Sequence, residues 1–276
     1  MAGTHPETAL NAAQLECIMD CAELWISPNY CIQMPTVISS VPTAEGFVIG
    51  SDGRSRGPDS EVISDEVQKI FPINKPGIRL AYGIFGTAKF GTETNNILFD
   101  FETEIPLAIE RMGKLRNWWE FLSSLAKSLT ESLDTQRAEY GNELDPERGT
   151  TITMGGFYGR FQKLGHITFN YKEQHTEGEP HNYPPAFSFP WGSIKLFDLL
   201  NEGDQRLAKF AQPSRVGLNT LRDGIERVRK DILMHYDPEA RKLDEAVCLG
   251  IGGLVQIATV TFADGFRWVS GFEPPK

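Results

Sequence analysis

The chain has 276 residues, 40% of them hydrophobic, and carries 37 acidic against 27 basic residues for a formal charge of −10. That length can bury a substantial core, while the acidic balance repels nucleic acid and anionic membrane surfaces. No run of about eighteen apolar residues is present to form a membrane-spanning helix, and Met1 to Gln14 lack the basic and long apolar segments of a secretion signal, so a cytoplasmic protein is expected.

Residues 6–25 carry the first helical pattern, with Pro6 near its start and Pro28-Asn29 beyond its end. Cys17 and Cys21 share the stripe of Leu10, Ala13 and Leu24, which suits small buried groups. With Cys31 and Cys248 they make no metal-ligand spacing, so neither a metal nor a cofactor is expected. Two short apolar runs follow, Thr36 to Val41 and Phe47 to Gly50, joined by the turn-forming Pro42-Thr43-Ala44-Glu45-Gly46; they predict a β-hairpin. A polar Gly/Pro/Ser segment then leads to a third run ending at Phe71. Thr36, Asp52 sixteen residues later, and Lys69 stand at the ends of these strands.

This pattern resembles the β-type subunits of proteasomes and their bacterial relatives in the N-terminal-nucleophile (Ntn) hydrolase superfamily. The residues that carry the resemblance are Thr36 opening the first strand, Gly46 in the turn, Asp52-Gly53-Arg54 closing the second strand and Lys69-Ile70 closing a further one. Gly86, within Ile84-Phe85-Gly86-Thr87-Ala88, matches the glycine of a strand-to-helix turn, although Lys89-Phe90 stands where that family has an acidic residue. The resemblance implies an α+β fold, a four-layer α/β/β/α sandwich of two antiparallel sheets, across residues 36–276. Residues 1–35 would then be either a propeptide or a permanent N-terminal extension, with Pro35 where the family usually has glycine.

The resemblance also implies roles. Thr36 is the expected nucleophile, Asp52 and Lys69 its electrostatic partners, Gly86 the oxyanion donor and Ser193 an auxiliary, with Val67, Phe71 and Ile84 walling an apolar pocket. Chemistry explains the combination. A threonine hydroxyl needs a base, and its own freed α-amine, with a pKa near about 8, can serve. A lysine ammonium stabilises developing negative charge, an aspartate fixes that lysine, and backbone N–H groups hold the oxyanion.

Beyond Gly91 the pattern turns helical, first over residues 92–112 with a break or kink at Pro106, then along Leu115, Trp118, Leu122, Leu125, Leu129 and Leu133. Residues 150–171 predict a second hairpin, and 172–185 a polar loop in which His175 and His181 are too sparsely placed for a metal. Trp191-Gly192-Ser193 reads as a strand entering a helix, and Leu218, Leu221, Ile225, Val228 and Ile232 mark another helix. Gly252-Gly253 precedes a strand over Leu254 to Phe262, the turn Ala263-Asp264-Gly265 and a last strand. By the resemblance an Asp and a Ser should support the nucleophile just before that glycine pair, and Cys248 and Ile251 occupy those places.

The function expected is therefore Ntn-type amide hydrolysis, led by a threonine peptidase that uses Thr36 after loss of residues 1–35. Two alternatives stand beside it: an inactive structural or assembly subunit that keeps its N-terminus, and a small-amide Ntn amidase. The helical faces are apolar enough for self-association, so the expected partners are further copies of the chain and a peptide or amide substrate, with no nucleic acid and no membrane.

Overall fold

The computed structural model describes residues 36–56, 61–91, 97–113, 115–140, 149–171, 176–184, 189–211 and 218–275. The expected helix over 6–25, Cys17, Cys21, Cys31, His175 and the segment 1–35 lie outside them.

β1 (Ile38–Pro42) and β2 (Phe47–Ser51) form the predicted hairpin, Ile38 opposite Ser51 and Pro42 opposite Phe47. Its turn closes on itself: the Thr43 hydroxyl donates to the Gly46 carbonyl at 2.9 Å and accepts from the Gly46 N–H at 3.1 Å. Such side-chain bonds fix a turn without a tertiary partner. A short ribbon follows, β3 (Ser55–Arg56) with β4 (Val62–Ser64), and then β5 (Ile70–Lys75) and β6 (Ile78–Gly86). Lys69-Ile70 thus opens a strand instead of closing one, a correction to the sequence expectation.

A second correction concerns residues 92–112. The helix α1 (Phe101–Arg111) begins only after a small hairpin of β7 (Lys89–Gly91) and β8 (Ile97–Asp100). Asp100 sets that start, because its carboxylate accepts the Glu102 N–H at 2.9 Å and satisfies one of the first turn's free donors. The helix runs on through Pro106. α2 (Trp118–Tyr140) follows, then β9 (Thr150–Tyr158), β10 (Phe161–Tyr171) and β11 (Thr176–Tyr183).

β11 corrects the expected polar loop. Its Thr, Glu, His and Asn residues hide a strand from any hydrophobic pattern, yet it pairs with β10 from Leu164 opposite Tyr183 to Tyr171 opposite Thr176. An edge strand needs only one pairing neighbour and tolerates polar residues. After β12 (Phe189–Trp191) come α3 (Ile194–Asn201), a 3₁₀ turn (Gln205–Phe210), α4 (Leu221–Met234), the single turns α5 (Pro238–Arg241) and α6 (Glu245–Cys248), and the hairpin β13 (Gln256–Thr261) with β14 (Gly265–Trp268).

Two five-stranded antiparallel sheets result, β12-β1-β2-β13-β14 and β11-β10-β9-β6-β5. Leu80, Tyr82, Ile152 and Phe169 of the second sheet pack with Phe101, Ile105, Leu122 and Leu125 of α1 and α2. Val41, Val48 and Ile257 of the first pack with Val228 and Ile232 of α4. Between the sheets lie Ile38, Phe47, Ile49, Ile70, Ala81 and Val260. There the Phe47 ring occupies the space left by Gly155, where any Cβ would stand 2.3 Å from it. The fold is α+β with antiparallel sheets. Among the described residues no helix is long and apolar enough to cross a membrane.

Candidate functional site

Three strand ends meet in one buried cluster. Thr36 lies two residues before β1, Asp52 one residue after β2, and Lys69 one residue before β5. Asp52 is fully buried. Such a carboxylate needs a donor for each oxygen, and four are supplied. Oδ1 accepts from Val37 N–H and Lys69 Nζ, each at 3.0 Å; Oδ2 accepts from Arg54 N–H and Gly252 N–H, each at 3.2 Å. The Asp52 N–H in turn donates to the Val37 carbonyl at 3.2 Å, so the hairpin pairing runs on into the site.

Lys69 Nζ also donates to Thr36 Oγ1 at 3.2 Å. An ammonium can only donate, so the threonine oxygen here is an acceptor whose own proton remains available for transfer. Lys69 is nearly buried and its backbone is fastened too: its N–H donates to Gln256 Oε1 at 3.2 Å, while Gln256 Nε2 donates to the Val67 carbonyl at 2.8 Å. Around the rim, Arg54 Nε donates to Asp65 at 2.6 Å, which raises the guanidinium's pKa and lowers the carboxyl's. The Tyr236 hydroxyl donates to the Gly253 carbonyl at 2.9 Å; burial first, then the charge of Asp52, pushes its pKa up. Gly253 needs to be glycine, with φ +76° and a would-be Cβ 2.2 Å from the Asp65 carbonyl.

The other expected residues are placed elsewhere. Gly86 ends β6 at φ +90°, with a would-be Cβ 2.3 Å from the Gly149 carbonyl, and leads into a strand instead of a helix. Ser193 caps α3: its hydroxyl donates to Asp244 and accepts from Leu196 N–H at 3.1 Å, and its N–H donates to His235 Nε2 at 3.0 Å. None of the described bonds of Gly86 or Ser193 reaches Thr36. Phe71 stacks on Tyr82 at 5.3 Å, and Ile84 is buried in the same cluster under α1 and α2, so both turn away from the site. Cys248 and Ile251 stand where an Asp and a Ser were expected. Both are buried among apolar residues, and burial, followed by the charge of Asp244, pushes the Cys248 thiol up to about 12.

Gln256 and Tyr236 were not anticipated, whereas the Gly252-Gly253 pair was expected beside the nucleophile's supporting residues, and Gly252 donates to Asp52. Gln256 is 187 positions from its partner Lys69, and no local pattern announces such a pairing. An open groove of about 540 Å³ between α2 and β11, lined by Ala126, Lys127, Thr130, Glu131 and Gly178 among others, shares no residue with the Thr36 cluster. Among the described residues no group of three His, Cys, Asp or Glu is placed to hold a metal.

No protein-family model matches the chain, and no curated protein matches it. Among solved structures it is similar to Anbu (ancestral beta-subunit) from Yersinia bercovieri, at 11% identity and a TM-score of 0.51, covering 86% of this chain and 88% of that one. The fold is Anbu-like. Weaker likenesses are to a Gly-1 mutant of Anbu from Hyphomicrobium sp. strain MC1 (13% identity, TM-score 0.47, 86% and 88% covered) and to Anbu in a helical assembly from Pseudomonas aeruginosa (11%, 0.49, 85% and 87%). At those scores nothing further rests on the last two. The expectation of a proteasome β-type subunit is thereby corrected, because the Anbu proteins are a proteasome-like but distinct family.

Proposed function

We propose that the chain is an Ntn-type amide hydrolase, a threonine peptidase in which Thr36 becomes the nucleophile once residues 1–35 are removed, built on a four-layer α/β/β/α sandwich. The observation that carries this reading is the single ammonium of Lys69 shared between Thr36 Oγ1 at 3.2 Å and Asp52 Oδ1 at 3.0 Å. The three apolar layers on and between the sheets support the sandwich. In the proposed reaction the freed Thr36 amine takes the hydroxyl proton as Oγ1 attacks the substrate carbonyl, and Lys69 steadies the charge that builds on Oγ1. Gly86 is the proposed oxyanion donor, by the resemblance alone. The amide C–N bond breaks, the leaving amine carries off the proton, and water hydrolyses the ester left on Thr36.

A second reading, an inactive subunit that keeps its N-terminus, is favoured by two observations. Cys248 and Ile251 offer neither carboxylate nor hydroxyl to the nucleophile, and Pro35, which precedes Thr36 in the sequence, fits poorly the strained turn that self-cleavage at that bond requires. A small-amide amidase would share the Thr36 chemistry and differ only in substrate.

Intact mass and hydrolysis of a peptide-amide panel decide among these. The proposal expects a chain that begins at Thr36 and a rate loss of roughly a thousandfold or more in Thr36→Ala. A full-length mass together with no effect of Thr36→Ala on any substrate would establish the silent subunit.

A further inference from the structure

We propose that Gln256 is a positioning residue for the site, acting through Lys69. It deepens the Thr36 reading and rests on it for its catalytic meaning. The side chain is fully buried at the first position of β13, in the sheet that carries Thr36, opposite Ser51, the residue before Asp52. Lys69 belongs to the approach to β5, in the other sheet. Gln256 spans the two. Its amide oxygen accepts the Lys69 N–H at 3.2 Å and its amide nitrogen donates to the Val67 carbonyl at 2.8 Å, so one side chain satisfies both sides of a short irregular segment.

That segment, residues 65–69, has no ladder of its own. Its backbone bonds to other parts of the chain lie at its middle and its start, where Val67 N–H donates to the Gly53 carbonyl at 2.9 Å and Leu254 N–H to the Asp65 carbonyl at 2.8 Å. At Lys69 itself the only backbone clamp among the described contacts is Gln256. An ammonium at the end of four methylenes keeps two partners at 3.0 and 3.2 Å only if its Cα is held still. Glutamine suits this duty because it is donor and acceptor in one planar group, matching an N–H and a carbonyl on one chain segment. No proton passes through Gln256 and no substrate touches it.

The test reads Lys69 directly, by reductive methylation with formaldehyde and a borane, scored by peptide mass spectrometry against exposed lysines as internal references. Gln256→Met keeps the shape and removes both bonds. It is expected to raise Lys69 labelling about tenfold, as loss of net bonds of this kind predicts, and to lower kcat by a similar factor with KM little changed. Val41→Ala, an apolar core truncation outside the site, serves as a control for general loosening and leaves both unchanged. In Gln256→Glu, a buried carboxyl stays protonated near about pH 6 and restores both bonds, its hydroxyl donating to Val67; near about pH 9 it ionises and loses the donor. This variant should match wild-type labelling at the lower pH and the Met variant at the higher, and it carries the test by itself if Gln256→Met fails to fold. Unchanged labelling in the Met variant, or a Glu variant whose labelling relative to wild type does not vary with pH, overturns the proposal. Because labelling needs no turnover, a chain that hydrolyses nothing but shows this pattern removes the Thr36 reading and keeps the clamp. Normal hydrolysis with unaltered labelling does the reverse.

Discussion

The strand β1 serves two trios of the same composition, each an aspartate, a cation and a hydroxyl. Ahead of its first residue, Thr36 meets Lys69 and Asp52 at the strand ends. Within it, Ser39 meets Asp231 at 2.7 Å, and Asp231 pairs with Arg227 at 3.1 Å, against the helix α4. The difference lies in the burial and the partner of each hydroxyl. Ser39 donates to a carboxylate already paired with Arg227, and it is fully buried inside the strand, so its oxygen is closed to any substrate. Thr36 faces an ammonium, which can only donate, so its proton is free to leave. Arg227 is a fixed cation locked by an i,i+4 pairing, whereas Lys69 is a point charge on a flexible stem that can follow a changing oxygen. Residue types alone do not separate the two trios; burial and the partner of each hydroxyl do.

The largest test of this contrast is Asp231→Ala. It strands the buried Arg227 guanidinium and should cost about 3–5 kcal/mol in urea unfolding, while hydrolysis per folded molecule is expected to hold. A parallel fall in kcat would break the distinction.

Acid should strike the sealed trio next. His235, fully buried, accepts the Ser193 N–H at Nε2, so the proton sits on Nδ1, which donates to the Asp231 carbonyl at 2.9 Å. Burial, outweighing its hydrogen bond to Asp231 and the charge of Asp244, pushes its pKa down to about 4; burial and then the neighbouring His181 push His166 to about 3. Unfolded histidines take a proton near about pH 6.5. Between that value and their folded values the unfolded chain binds more protons, so stability falls as pH drops through this window. For His235 the loss should be on the order of 3 kcal/mol, and His235→Asn should roughly halve the slope of the urea-midpoint profile between about pH 6.5 and 4, leaving the share of His166.

A reciprocal exchange of cations sharpens the comparison further. Lys69→Arg should cut hydrolysis about a hundredfold by displacing the charge from Thr36, measured as kcat/KM on the peptide panel. Arg227→Lys should cost about 2 kcal/mol of stability and no rate. The smallest effect belongs to Ser193→Ala, which loses the α3 cap for about 1 kcal/mol in thermal unfolding. Unaltered kcat there would assign Ser193 to the scaffold.

Much of this contrast was hidden in the sequence for physical reasons. The hairpin from Thr36 to Asp52 was legible because alternating apolar residues and a Pro/Gly turn act locally. Its residue spacing constrains the strand ends, and so it could point to a proteasome-like scaffold without separating the β-type subunits from the Anbu family that the structure resembles. Strand β11 was not legible, since its pairing with β10 overrides a polar composition. Nor was the start of α1, set by the single cap at Asp100 instead of by periodicity. Arg227 and Asp231 carry the spacing of an ordinary solvated helix pair; only burial against β1 gives them their role. Gln256 approaches the site from the far end of the chain, where sequence distance conceals contact.

The Phe47 ring seated over Gly155 joins one sheet to the other like a tenon in a mortise. Thr36 and Asp52 ride on the first of these sheets and Lys69 on the second, so the alignment of the ammonium with the hydroxyl depends on a joint made elsewhere. Even a methyl group at position 155 would act as a wedge, sliding the layers and detuning the chemistry at a distance. A change at Gly155 would therefore reach the Thr36 cluster without touching any of its residues.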